Sequence, residues 1–158
     1  DSLGAAIATY EPRTTHGSSL SPGVVAGLLA RAGRPDDALE PFDVAARIDL
    51  DDLTGTAAGG LHLATMGALW QALAGGFAGI RVEGEVLAVD PSLPGRWASL
   101  TVRVRFRGVQ LVVTASADEV EVGCDRPVRV RVGAGVPILC SPPGGRFGLG
   151  GPREEVPA

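Results

Sequence analysis

The spacing of the apolar residues changes from about four to two just past Gly79, and that break limits the possible folds more than any other feature. Before it, apolar residues recur at helical intervals. After it, "IRVEGEVLAVDP", "LTVRVRFRG", "VQLVVTAS", "EVEVG" and "PVRVRVGAG" alternate apolar with polar positions and are separated by turn residues. In "VRVRFRG", Val102, Val104 and Phe106 point one way and three arginines the other, the pattern of an antiparallel sheet with one solvated face. Helices that all precede the strands predict two units rather than one α/β layer structure.

The helical part spans residues 1–79, the strand-rich part 80–140, and 141–158 is a Pro/Gly-rich tail expected to be disordered. In "SPGVVAGLLARAG", Ser21 reads as an N-cap, Pro22 as the first helical residue and Gly33 as the stop. "RPDDALEPFDVAARIDLDD" starts with Pro35 and two aspartates, and Pro41, about six residues in, should kink or break that helix. The third segment, about Ala58 to Gly76, is apolar all round, with Leu61, Met66, Leu69, Trp70 and Leu73. Such a helix needs neighbours on every side. Three helices cannot supply them, so the chain reads as a C-terminal piece of something larger.

Composition excludes several roles. A chain of 158 residues buries roughly 68–70% of its unfolded surface, enough for a core. The net charge of −4 gives no support to nucleic-acid binding. No apolar run reaches the roughly 20 uncharged residues of a membrane span, and no signal peptide is visible. Cys124 and Cys140 lie sixteen apart without CxxC spacing and far from either histidine. They read as reduced structural thiols ahead of a disulfide, and no metal site is expected.

The chemistry-bearing residues gather around the two histidines. "RTTHGSSLSPG" (13–23) holds Arg13, His16 and five hydroxyls just before an apolar helix. "GTAAGGLHLATMG" (55–67) puts Gly59 and Gly60 before His62 at the entrance of the next. Helix N-termini carry unpaired N–H groups and partial positive charge, so the two loops could hold a phosphate between them. The plainer reading makes Ser21 only a cap, His16 an exposed loop residue and His62 a hydrogen-bonded core histidine, and chemistry alone favours it. "DLDD" (49–52) reads as a solvated helix end rather than a catalytic cluster. Tyr10, Glu11 and Arg13 in "YEPRT" read as a surface ion-pair region.

Together, "YEPRTTHGSSLSPG", "ARIDLDDLTGTAAGGLHLATMGALWQAL" and "GFAGI" resemble the end of the catalytic barrel of glycoside hydrolase family 65, which contains maltose, trehalose and kojibiose phosphorylases. "LAVDPSLPGRW" and the strands around it resemble that family's small C-terminal β-sandwich. The resemblance implies an α-then-β fold: the closing helices of an (α/α)6 barrel, then a small antiparallel β-sandwich. It also implies inverting chemistry on α-linked glucosides. A carboxylic acid protonates the leaving oxygen while inorganic phosphate attacks the anomeric carbon from the opposite face, where an ordinary inverting glycosidase places water.

By motif, the phosphate-binding residues are expected to be Gly17, Ser18, Ser19, Gly60 and His62, with His16 and Arg13 in support. The general acid is expected upstream, and nothing here resembles it, so the chain alone should be inactive. Phosphate is a co-substrate and no cofactor is implied. The implied partners are an α-linked glucose disaccharide, the rest of the same cytoplasmic enzyme and a second copy in a homodimer, with no nucleic acid and no membrane. Many members carry Glu where Gly59 stands and Asp where Gly17 stands, which leaves open a trehalase-like hydrolase. A non-catalytic carbohydrate-associated module is a third reading, although the strand-rich part lacks an aromatic platform: Trp97 is its only Trp and Phe106 is expected to face inward.

Overall fold

The computed structural model describes residues 2–14 and 17–149, which divide into two compact units with the boundary between Phe77 and Ala78. The first is helical: α1 (Ser2–Tyr10), α2 (Ser21–Arg31), α3 (Leu39–Arg47) and α4 (Leu63–Gln71), with short 3-10 turns at Glu11–Arg13 and Ala57–Gly59. A π-helical segment, Ala72–Phe77, carries α4 onward.

Small residues decide how α2 meets α4. Gly23 and Gly27 lie one turn apart on α2, opposite Ala68, Ala72 and Gly76. A β-carbon on Gly23 would lie 2.9 Å from that of Ala68, and one on Gly76 would lie 2.9 Å from the Gly27 Cα. The two backbones therefore run almost in contact, which fixes the lengthwise register of α2 on α4. Buried Leu29, Ala30 and Phe77 complete this core, with the Phe42 ring edge-on to Phe77 at 5.5 Å.

Two sequence expectations change here. Ser21 is the first residue of α2, and the cap position belongs to Leu20, whose side chain makes no capping bond. Pro41 neither kinks nor breaks α3, because residues 35–38 form turns and the helix begins only at Leu39. Pro41 thus falls in the first turn, where a missing N–H costs no helical bond. The apolar segment at 58–76 is not enclosed: α4 buries Thr65 and Ala68 against α2, while Leu63 is 76% and Trp70 47% exposed.

The second unit is a sandwich of two four-stranded sheets. One has the order β1 (Ile80–Glu83), β2 (Val86–Val89), β6 (Val128–Val132), β7 (Ile138–Cys140). The other has the order β3 (Ser99–Phe106), β4 (Val109–Ser116), β5 (Glu119–Cys124), β8 (Gly144–Gly148). Pairing is antiparallel except between β2 and β6, which run parallel. A single core joins Leu87, Val89, Val128 and Val130 of one sheet to Leu111, Val113, Val120 and Val122 of the other. Val102 and Phe106 are buried and Arg103 and Arg105 exposed, as the alternation requires. The β3–β4 hairpin turns through Arg107 and Gly108, both at positive φ, the two-residue turn that suits the twist of antiparallel strands.

The start of the Pro/Gly-rich stretch departs from the expected disorder. Gly144–Gly148 pairs with β5 from Gly123↔Gly144 to Glu119↔Gly148, and Phe147 packs on the core. Strand pairing uses backbone groups, so glycine-rich composition does not prevent it where one aromatic anchors the strand. Residues 150–158 lie outside the described residues. Among the described residues, no helix is long and apolar enough to cross a membrane.

The close contact between Gly76 and Gly27 generates a test. Gly76→Ala is expected to lower the unfolding free energy by about 1–3 kcal/mol through overpacking against backbone. Urea denaturation followed by circular dichroism measures it, and an unchanged midpoint would contradict the described packing.

Candidate functional site

The two loops singled out in the sequence lead into α2 and α4, and the first of them is tied to the first turn of α4. The Thr65 side chain is fully buried in the first turn of α4, and its hydroxyl donates to the Ser19 carbonyl at 3.1 Å. That bond links loop 17–20 to α4 across 46 positions of sequence. It is possible because the glycine stripe lets α2 and α4 lie so close. Within the first loop, the Ser18 hydroxyl accepts from the Leu20 amide at 3.3 Å, and the Ser18 carbonyl accepts from the Ser21 amide at 3.0 Å.

The second loop is closed by aspartates. Asp49, two residues past the end of α3, holds His62 with both carboxylate oxygens. Oδ2 accepts from the His62 amide at 2.8 Å and Oδ1 lies 2.5 Å from His62 Nδ1. Asp52 Oδ1 accepts from the Ala57 amide at 2.9 Å, which folds the chain back between the two anchors. Gly60, with φ near 137°, takes a backbone conformation that side-chain-bearing residues rarely adopt, and delivers the chain to His62 at the cap position of α4. The carbonyl of His62 then accepts from the Thr65 and Met66 amides to begin the helix.

Electrostatics follow from this grip. The Asp49 carboxyl is held below the usual carboxylate range, first by the hydrogen bond from the His62 ring, against the opposing effect of burial. The amide of His62 and the charge of its ring when protonated act in the same direction as the ring hydrogen bond. An ionised carboxylate only accepts hydrogen bonds, so Nδ1 carries the proton, and Nε2 accepts from a ligand hydroxyl in the neutral ring or donates to an oxyanion when the ring carries a second proton. A hydroxyl-rich loop, a glycine backbone and a histidine held by a carboxylate make an arrangement that can receive an oxyanion.

The expected site residues are thus placed unequally. Ser18, Ser19, Gly60 and His62 belong to the two loops joined by the Thr65–Ser19 bond, and Gly17 is exposed beside them. Arg13 donates from Nη1 to the Thr9 carbonyl at 2.6 Å, on the turn after α1. His16 lies outside the described residues. Thr65 and Asp49 carry geometry that the sequence did not reveal. Asp49 corrects the reading of "DLDD" as a solvated helix end: its side chain is only 9% exposed, whereas Asp51, in an exposed pair with Arg47, does fit that reading. The separation of 13 residues between Asp49 and His62 follows no local period, so no sequence pattern signals the pair. A separate groove of about 430 Å³, lined by Glu11, Arg34, Asp37 and Glu40 among others, contains none of these residues. Among the described residues, no group of three or more His, Cys, Asp or Glu could hold a metal ion.

Comparison with known proteins agrees with the motifs. Residues 1–71 match the family model described as glycosyl hydrolase family 65 central catalytic domain, and residues 80–135 match the family 65 C-terminal domain. The α,α-trehalose phosphorylase of Thermoanaerobacter brockii is 40% identical over 111 residues, 70% of this chain and 14% of that protein. The kojibiose phosphorylase of Halothermothrix orenii is 38% identical over 113 residues, 72% of this chain and 14% of that protein. A human-microbiome protein of solved structure, provisionally named a kojibiose phosphorylase, superposes with a TM-score of 0.83 at 27% identity, covering 92% of this chain and 19% of that one. The chain therefore spans about a seventh of the length of the curated relatives it matches.

The Asp49–His62 pair predicts a pH dependence. Its folded pKa lies below the unfolded one, so its stabilisation is present above the ordinary carboxylate range and is lost as pH falls through the folded value. Denaturation at a series of pH values below about 5 should show the wild-type chain losing stability more steeply than Asp49→Asn. Parallel curves would contradict the pairing. Taken together, two family models, the shared fold and the two ordered loop motifs show that the chain belongs to glycoside hydrolase family 65.

Proposed function

We propose that this chain is the C-terminal part of a cytoplasmic, inverting α-glucoside phosphorylase and that it contributes the phosphate-binding loops. The observation that carries the reading is the Thr65–Ser19 bond, which ties the hydroxyl-rich loop at α2 to the first turn of α4, the helix that begins after the Asp49-held His62. In the whole enzyme, a carboxylic acid from barrel helices outside this chain protonates the glycosidic oxygen. Phosphate, lying on the hydroxyls and backbone of Ser18 and Ser19, the backbone of Gly17 and Gly60, and His62 Nε2, attacks the anomeric carbon from the opposite face. The products are β-glucose 1-phosphate and the released sugar. The loops act by position and charge, holding the nucleophile beside the reacting carbon without a covalent step.

The exposure of Leu63 and Trp70 on α4 supports the same reading, because further helices of the parent barrel would cover that face. The matched relatives, phosphorylases of trehalose and kojibiose by name, support a disaccharide α-glucoside as substrate. With no residue placed as the general acid, the chain alone is inactive in this account.

The test belongs in the intact enzyme that carries this chain. His62→Ala should raise the KM for phosphate by about tenfold or more, the loss of one charge-assisted hydrogen bond, with a smaller change in the KM for disaccharide. Ser19→Ala should change it less, since its backbone carbonyl still meets Thr65. If glucose is released equally fast with and without phosphate, the enzyme is a hydrolase and the phosphate assignment fails.

A further inference from the structure

Two buried cysteines of the second unit face each other across its sandwich. Cys124 ends β5 in one sheet and Cys140 ends β7 in the other. Neither is in a disulfide, yet their Sγ atoms lie 3.9 Å apart. Each sulfur also meets a carbonyl at 3.8 Å, Cys124 that of Cys140 and Cys140 that of Val122. The backbone holds this approach from both sides. Cys140 is in register with Val128 of β6, and the Cys124 amide donates to the Pro143 carbonyl at 3.0 Å as the chain passes from β7 to β8. A disulfide has an S–S length of about 2.05 Å, so the sulfurs need to close by roughly 1.9 Å.

We propose that Cys124 and Cys140 are a redox modification site, closed by a peroxide into an inter-sheet disulfide and reopened by a dithiol. Access comes through β7. It is a three-residue strand at the edge of its sheet, with Ile138 39% and Leu139 65% exposed, so its local opening uncovers the Cys140 thiol at small cost. The Cys140 thiolate attacks one peroxide oxygen. The O–O bond breaks, leaving a sulfenic acid on Cys140 and releasing hydroxide, which takes up the thiol proton as water. When β7 closes again, the Cys124 thiolate attacks that sulfur, the S–O bond breaks and a second water leaves. In balance, two thiols and one peroxide give one disulfide and two waters. The link spans sixteen positions and ties together two sheets that otherwise adhere by packing, so it restricts the unfolded chain and raises resistance to unfolding. The site is independent of the phosphate loops, and its test does not depend on them.

The full 158-residue chain is treated with hydrogen peroxide, denatured in the presence of an alkylating agent, and weighed intact by mass spectrometry. The expected result is a mass loss of about 2 Da with no thiol alkylated, a linked peptide pair containing both cysteines after proteolysis, and reversal by dithiothreitol. The unfolding midpoint of the oxidised chain should rise, and neither Cys124→Ala nor Cys140→Ala should form an internal link. If either variant fails to fold, peptide mapping of the wild-type chain decides alone. Alkylation of both thiols after peroxide, separate sulfinic acids without a link, or a link only between two chains would each overturn the proposal.

Discussion

The grip of the Asp49 carboxylate on His62 is the interaction on which the helical unit's chemistry depends. It closes the loop after α3, sets the residue from which α4 begins, and engages only one of the two ring nitrogens. Without it, the glycine-rich segment 55–60 would have to order itself against the large conformational entropy of its glycines. A charged acceptor buried beside two N–H donors supplies that order locally, so the loop needs little help from hydrophobic packing.

A second constraint acts on the other side of the site. The glycine stripe on α2 and the alanines and glycine facing it allow backbone contact, and only that closeness lets Thr65 reach the Ser19 carbonyl. Packing without side chains sacrifices apolar burial, but it fixes register sharply, since any slide of α2 would drive a β-carbon into backbone. Two loops far apart in sequence are thereby held together by one buried hydroxyl.

Legibility in the sequence followed the range of the interactions. The strands could be read because alternation is local, and the inward side of Val102 and Phe106 follows from it directly. The family could be read because both histidine loops carry ordered motifs. Where the reading failed, a longer-range or backbone effect had decided the outcome. Pro41 is harmless because α3 starts later than the favourable aspartates suggest. Ser21 is not a cap because the Ser18 turn already organises the approach to α2. Gly144–Gly148 becomes a strand because β5 offers a free backbone edge, which composition does not record. Asp49 escaped notice because its partner lies beyond any helical or strand period. Each miss is a tertiary contact overriding a local tendency.

The central claim is that His62, oriented by Asp49, presents Nε2 to phosphate. The most direct measurement is nitrogen NMR of the histidine rings in the intact enzyme that carries this chain, with phosphate titrated in. The account predicts a saturable change at His62 Nε2 over the same phosphate range that supports turnover, with Nδ1 remaining protonated throughout. Turnover that depends on phosphate while both His62 nitrogens stay unchanged would contradict it.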